Sequence, residues 1–178
     1  MKLILINGGP GSGKTTLVKK LSPLINILVL RKDGVKEFLF DSLGTFDVAW
    51  SHLLGQRISI FAWDLAGDVL GYGKSIAIEG TFHKNRARAD IKKLQARHPS
   101  VEIIEIYCHT NPALRVQRFI ERNESGQRHK GHNDHVHYSK HDILLERHDP
   151  IGIGTVVHVD TTTPENINYP ELAKILTD

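Results

Sequence analysis

Gly8-Gly9-Pro10-Gly11-Ser12-Gly13-Lys14-Thr15-Thr16 is the stretch whose reading decides the fold of this chain. It fits G-x-x-x-x-G-K-[ST], a loop whose successive backbone N–H groups surround a chain of phosphates. The flanks agree. Lys2-Leu3-Ile4-Leu5-Ile6-Asn7 is short, apolar and β-rich, which predicts a buried strand. Thr15-Thr16-Leu17-Val18-Lys19-Lys20-Leu21 sets apolar residues at helical spacing and stops before Pro23. Glycines let such a loop turn sharply and come close to a ligand. Its N–H groups then add to the positive end of the helix dipole. Gly9, Gly11, Ser12, Gly13, Lys14, Thr15 and Thr16 are therefore the expected phosphate-binding residues. Lys14 brings a full charge to the β- and γ-phosphates, and the Thr15 hydroxyl is the expected ligand of a Mg²⁺ held between them.

The rest of the chain bounds what such a loop can serve. Its 178 residues match the usual size of one domain, 1–178. Hydrophobic content of 40% and charged content of 24% are ordinary for a globular protein. No apolar run nears the roughly 20 residues of a membrane span, so no membrane partner is expected. The opening residues enter a strand without a signal-peptide pattern. The single cysteine, Cys108, excludes an internal disulfide and suits a reducing cytoplasm. At the end of an apolar strand it reads as a buried, inert thiol.

Taken in order, the chain alternates short apolar runs with helical patterns. Strands are expected at 27–30, 75–78, 101–107 and 155–159. Helices are expected at about 35–43, 48–70, 84–97, 112–122, 142–147 and 164–176. This alternation predicts an α/β domain, a three-layer parallel sheet covered on both faces. Ligands of such sheets lie beyond the carboxyl ends of the strands. The glycine loop, Asp33, Glu79 and the loop after Val159 all fall at that edge.

Four groups of residues are placed to carry chemistry there. Asp33 directly follows the second strand, where a carboxylate takes the proton of a hydroxyl attacking the γ-phosphate, or caps the next helix. Lys36 stands three residues on, to hold a substrate's charge or steady that aspartate. Glu79 closes an apolar strand, where a carboxylate orients Mg²⁺ or contacts substrate; both remain open. Arg115, Arg118 and Arg122 share one helix face, and Arg128 and Lys130 follow in a polar stretch. A segment of about 123–141 carrying such arginines reads as a lid that closes over phosphates, Arg118 and Arg122 foremost.

That stretch also holds His129, His132, His135, His137 and His141. These read as a solvated loop, with a pH-sensitive or substrate-contacting lid and a metal site as the alternatives. Lys84, Arg86, Arg88, Lys92, Lys93 and Arg97 crowd one helix, a solvated face or a wall for an anionic acceptor.

With the glycine loop, Asp33-x-x-Lys36, Glu79-Gly80-Thr81 and Arg118-x-x-x-Arg122 in this order, the chain resembles the small P-loop kinases with an AAA-type ATP-binding domain. Nearest in look are the kinase domain of phage-type polynucleotide kinase, the zeta toxins and the chloramphenicol phosphotransferases. The resemblance implies an adenylate-kinase-like fold with strand order 2-3-1-4-5, ATP and Mg²⁺ as cofactors, and Asp33 as the base. It implies that Arg118, Arg122 or Arg128 contacts the ATP phosphates. It also implies that Asp160-Thr161-Thr162 lies beside the adenine, which makes Thr161 a nucleotide-binding residue. Arginine often stands in that group where this chain has Lys36, which weakens two-pronged phosphate holding here.

The expected activity is transfer of the γ-phosphate to an acceptor hydroxyl on a nucleic-acid end, a nucleoside or nucleotide, or a small molecule. The rival is a regulatory NTPase working with a protein or nucleic-acid partner. The chain lacks an Asn-Lys-x-Asp guanine motif, and Asp68-Val69-Leu70-Gly71, which fits a GTPase switch, falls in a helical run.

Overall fold

The computed structural model describes residues 1–134 and 148–177. Five parallel strands form the sheet: β1 (Lys2–Asn7), β2 (Leu28–Arg31), β3 (Ile76–Glu79), β4 (Glu102–His109) and β5 (Thr155–Asp160). Their order is β2-β3-β1-β4-β5, the order the resemblance implied. The described helices are α1 (Lys14–Leu21), α2 (Lys32–Leu43), α3 (Val48–Gly71), α4 (Lys84–Arg97), α5 (Pro112–Glu124) and α6 (Tyr169–Thr177).

Period-two alternation divides the central strand between two cores. Leu3 and Leu5 of β1 pack with Ala62, Ala66 and Leu70 of α3 and with Ile91 and Leu94 of α4. Ile4 and Ile6 pack on the other face with Leu17, Val18 and Leu21 of α1 and with Leu172, Ala173 and Leu176 of α6. Helices on both faces explain why the strand is apolar at each position from Leu3 to Ile6 rather than at every second one.

Register sets the functional edge. Ile6 of β1 and Arg31 of β2 both align with Glu79 of β3. The glycine loop, Asp33 and Glu79 therefore leave the sheet at one level, although far apart in sequence.

Three boundaries differ from the sequence reading, each for a local reason. α2 begins at Lys32, directly after β2, with Arg31 as its extended cap residue at φ −94° and ψ 108°. Asp33 thus sits in the first turn instead of capping the helix. The final helix begins at Tyr169, after a 3₁₀ turn at Pro164–Asn166. Asn168 caps it by accepting from the Glu171 N–H at 3.2 Å, while its amide donates to the Glu171 carboxylate at 2.9 Å. That reciprocal cap outcompetes the start offered by Pro164. β4 runs on to His109, which brings Cys108 and His109 to the carboxyl edge. The helix expected at 142–147 and His135, His137 and His141 lie outside the described residues.

Candidate active site

The loop between β1 and α1 has the backbone its glycines foretold. Gly11 and Gly13 stand at φ +78° and +79°, and a side chain at Gly11 would run into the Arg115 carbonyl. Lys14 is buried and its Nζ donates to the carbonyls of Gly8 at 2.7 Å and Gly9 at 2.9 Å. Burial pulls its pKa down, with Glu79 the largest opposing influence.

Glu79 lies beside the loop. Its side chain is 3% exposed, and its Oε1 accepts from the Thr15 hydroxyl at 3.3 Å. Oε2 has no hydrogen-bond partner and stands 3.7 Å from Arg31 Nε. Burial raises the Glu79 pKa, and Lys14 acts against that rise. A buried carboxylate oxygen without a partner is unfavourable unless a ligand meets it. With the Thr15 hydroxyl it forms a hard-oxygen donor set suited to Mg²⁺, which takes one or two carboxylates and completes its shell with phosphates and water.

Across the cleft, Asp33 meets Arg128. Arg128 NH1 donates to Asp33 Oδ2 at 2.8 Å, and Arg128 Nε donates to Asp134 Oδ2 at 2.8 Å. Half of the Asp33 side chain still meets solvent. Partial desolvation acts to raise its pKa, but Arg128 and, less strongly, Lys14 hold it well below the usual carboxylate range. The Arg128 pKa moves up: its own desolvation is outweighed by Asp33 and Asp134.

The segment around Arg128 lies lengthwise on α2. Asp33, Glu37 and Asp41 recur every four residues and so share a helix face. Arg128 NH1 is 3.7 Å from Glu37, His132 Nε2 is 3.1 Å from Glu37, and His129 Nε2 is 3.1 Å from Asp41. His129 Nδ1 accepts from the Gly131 N–H, so Nε2 carries the proton given to Asp41. Phe40 fills the space between, with the His129 ring stacked at 5.3 Å and the His132 ring edge-on at 5.5 Å.

These two histidines are therefore not a solvated loop. His132 is 4% exposed, and burial together with Arg128 pushes its pKa down to about 3, so it is neutral near pH 7. Among the described residues no group of three or more His, Cys, Asp or Glu is arranged to hold a metal ion.

The arginines of α5 part company. Arg122 leans towards Asp134, its NH2 3.9 Å from Oδ2 and its guanidinium over the Phe119 ring. Burial, followed by the neighbouring Arg128, lowers its pKa. Arg122 and Arg128 share Asp134, and Arg128 also meets Asp33 and Glu37. Arg118 turns the other way and donates to the carbonyls of Thr161 at 3.1 Å and Thr162 at 2.9 Å. Its guanidinium sits at the loop after β5. Arg115 is buried with its guanidinium against Gly9.

Two further expected site residues are held by neighbours within the protein. The Thr161 hydroxyl is buried within hydrogen-bond reach of the carbonyls of Ser12 at 2.8 Å and His109 at 3.0 Å. It ties the phosphate loop to the β5 end. Lys36 donates to the Ser51 hydroxyl at 2.9 Å, and Ser51 donates to the His132 carbonyl at 3.2 Å. Lys36 thereby links α2, α3 and the turn at His132.

Sequence reasoning passed over Lys32, Asn7 and Glu105. Lys32 Nζ lies 4.6 Å above the Phe82 ring, and burial lowers its pKa against the pull of Asp33 and Glu79. Asn7 Oδ1 accepts from the N–H groups of Gly8 and Phe82, and Asn7 Nδ2 donates to Glu105 Oε1 at 2.8 Å. Glu105 is fully buried and also accepts from Ile151 N and Gly152 N. One signal was present: Glu105 breaks the apolar run of β4, and a buried carboxylate needs partners.

A cleft of about 290 Å³ opens beside Gly9 and Ser12, lined by Tyr107, His109, Pro112 and Arg115, with Tyr107 and His109 stacked at 5.9 Å. Another of about 430 Å³ lies between Phe82 to Arg86 and His148. Cys108 at the cleft floor is 1% exposed, and burial pushes its thiol up to about 12. No helix among the described residues is long and apolar enough to cross a membrane.

The parallel sheet in this order, with a glycine loop between β1 and α1, defines a small P-loop kinase-like domain. The model of the AAA domain family matches residues 3–150, and the chain belongs to that family. A crystal structure of a candidate kinase from Chloroflexus aurantiacus is similar throughout. Its TM-score is 0.90 at 30% identity, with 98% of this chain and 96% of that one covered. A sugar kinase from Janibacter sp. shares the fold at a TM-score of 0.57 and 16% identity, covering 98% and 93%. An uncharacterised protein of Mycobacterium tuberculosis is 29% identical over 129 residues, 68% of this chain. The chain covers 26% of that relative's length.

Proposed function

We propose that the chain is an ATP-dependent phosphotransferase that moves the γ-phosphoryl group to a hydroxyl of a small-molecule acceptor. The observation that carries this reading is Asp33, a carboxylate held between the lid and the phosphate loop. It stands at the level where β1, β2 and β3 all end. The kinase relatives support the class of reaction and leave the acceptor open.

In this reading the loop N–H groups and Lys14 hold the β- and γ-phosphates, and the Thr16 hydroxyl completes the cradle. Thr15 and Glu79 would hold Mg²⁺, which supplies charge neutralisation between the phosphates when bound. The contact between Thr15 and Glu79 supports the metal-side role for that carboxylate. Asp33 takes the acceptor's proton as its oxygen bonds to the γ-phosphorus and the bond to the bridging β–γ oxygen breaks, releasing ADP. Arg122 and Arg128 meet the charge on the transferring group. The cleft by Tyr107 and His109 offers flat aromatic surface for a base, with Arg118 steadying its rim.

The basic face of α4 gives a nucleic-acid acceptor little support. Arg88 donates to the Ile151 carbonyl at 2.7 Å, and Lys93 is 3.7 Å from Asp90.

Labelled ATP with a panel of sugars, nucleosides, amino alcohols and oligonucleotide ends tests the reading. Asp33→Asn is expected to slow transfer to the best acceptor by about 10²-fold or more, as loss of a general base does. An unchanged rate would remove Asp33 from the chemistry.

A further inference from the structure

Arg128 grips the very carboxylate that the proposed reaction needs free. Its Nε edge is held by Asp134 at 2.8 Å and its NH1 by Asp33 at 2.8 Å, with Glu37 3.7 Å away. A carboxylate bonded to a guanidinium is a poor proton acceptor, since accepting a proton would sacrifice a charge-assisted hydrogen bond. The competing anion in the proposed reaction is the γ-phosphate, with more charge and more acceptor oxygens than one carboxylate.

We propose that Arg128 is an exchange latch. It masks Asp33 until a nucleotide γ-phosphate draws its outer edge away, and Asp134 is the positioning residue that keeps its Nε edge in place during the exchange. This inference rests on the phosphotransferase reading and deepens it, because it couples exposure of the base to arrival of the donor. Glu37, His132, His129 and Asp41 keep the surrounding segment seated on α2 while the guanidinium moves. Nucleotides that lack the γ-phosphate leave the latch closed.

The test is a double-mutant cycle read by calorimetric binding of a non-hydrolysable ATP analogue with Mg²⁺, with ADP and Mg²⁺ in parallel. Asp33→Asn releases Arg128 and is expected to tighten the analogue about threefold to tenfold, within the range of couplings between contacting residues. ADP binding stays level. In an Arg128→Ala background the same Asp33 substitution gives no such gain. Asp134→Asn is expected to reduce discrimination between the analogue and ADP. Arg128→Lys, which keeps the charge but loses the two-edged grip, is expected to restore little of it.

An equal gain from Asp33→Asn with and without Arg128 would overturn the latch, because simple relief of charge repulsion would explain it. An equal gain for ADP would overturn it too. The phosphotransferase reading fails separately. If Asp33→Asn still transfers phosphate normally while the cycle shows coupling, the latch stands and the base assignment falls. If transfer collapses without coupling, the reverse holds. Circular dichroism of each variant confirms that it is folded.

Discussion

The phosphate loop and the contact of Arg128 with α2, termed the lid contact after its expected role, are built by different means. The loop is a local construction: six residues between a strand and a helix, shaped by glycine dihedrals and fastened by buried hydrogen bonds to Asn7 Oδ1 and from the Thr161 hydroxyl. The lid contact joins residues nearly a hundred positions apart through ion pairs and two histidines packed on one phenylalanine. A local loop keeps its shape with or without a partner. A contact made of exposed and half-buried charges can be exchanged for a better one. The difference separates a site that is preorganised from one that responds.

The largest expected effect breaks the first region. Gly11→Val places a branched side chain at φ +78° and against the Arg115 carbonyl, a conformation and a space that valine cannot occupy. Calorimetry should show nucleotide binding lost, with the lid's packing on α2 intact by hydrogen exchange. Nucleotide affinity within twofold of the parent would show the loop to be more pliable than its geometry says.

The second region should yield to acid first. His132 is held neutral with its pKa down at about 3, against an ordinary value of 6.5. A base whose folded pKa is depressed stabilises the fold fully above its unfolded pKa and loses that contribution as pH falls towards the folded value. Stability is therefore expected to fall between about pH 6.5 and 3, the interval between those two values. His132→Gln, which cannot titrate, should flatten that part of a plot of urea midpoint against pH. Asp33 shifts the same way, but its contribution is lost only below the ordinary carboxylate range. A parent and variant with parallel profiles would show that His132 is not what anchors the segment.

The smallest effect concerns Lys36, which joins α2 to α3 through Ser51. Lys36→Met removes one hydrogen bond to a charged donor and should lower the folding free energy by about 1.5–3 kcal/mol in urea titration. No change would mean that the lysine is free to face a substrate after all.

Much of the first region was legible in the residues alone. The Gly8–Thr16 pattern, the apolar strand before it and the helical spacing after it are consecutive, so sequence order is spatial order. Glu79 was legible as a candidate because a carboxylate closing an apolar strand must have a partner. Its contact with Thr15 was not, since that depended on the register that sets β3 beside β1. Arg118 and Arg122 looked equivalent at helical spacing four, yet long side chains on one face reached in different directions. Thr161 was legible as a residue just beyond the last strand, and only the structure shows its hydroxyl meeting the Ser12 and His109 carbonyls.

By itself, the sequence determined a parallel α/β sheet with a phosphate loop at its edge, because dihedral preference and apolar periodicity act over a few consecutive residues. Only the tertiary structure decided that Arg128 grips Asp33, that His132 is buried and neutral, and that Lys36 reaches Ser51. Those outcomes depend on which charges from distant segments meet and how much water is left between them.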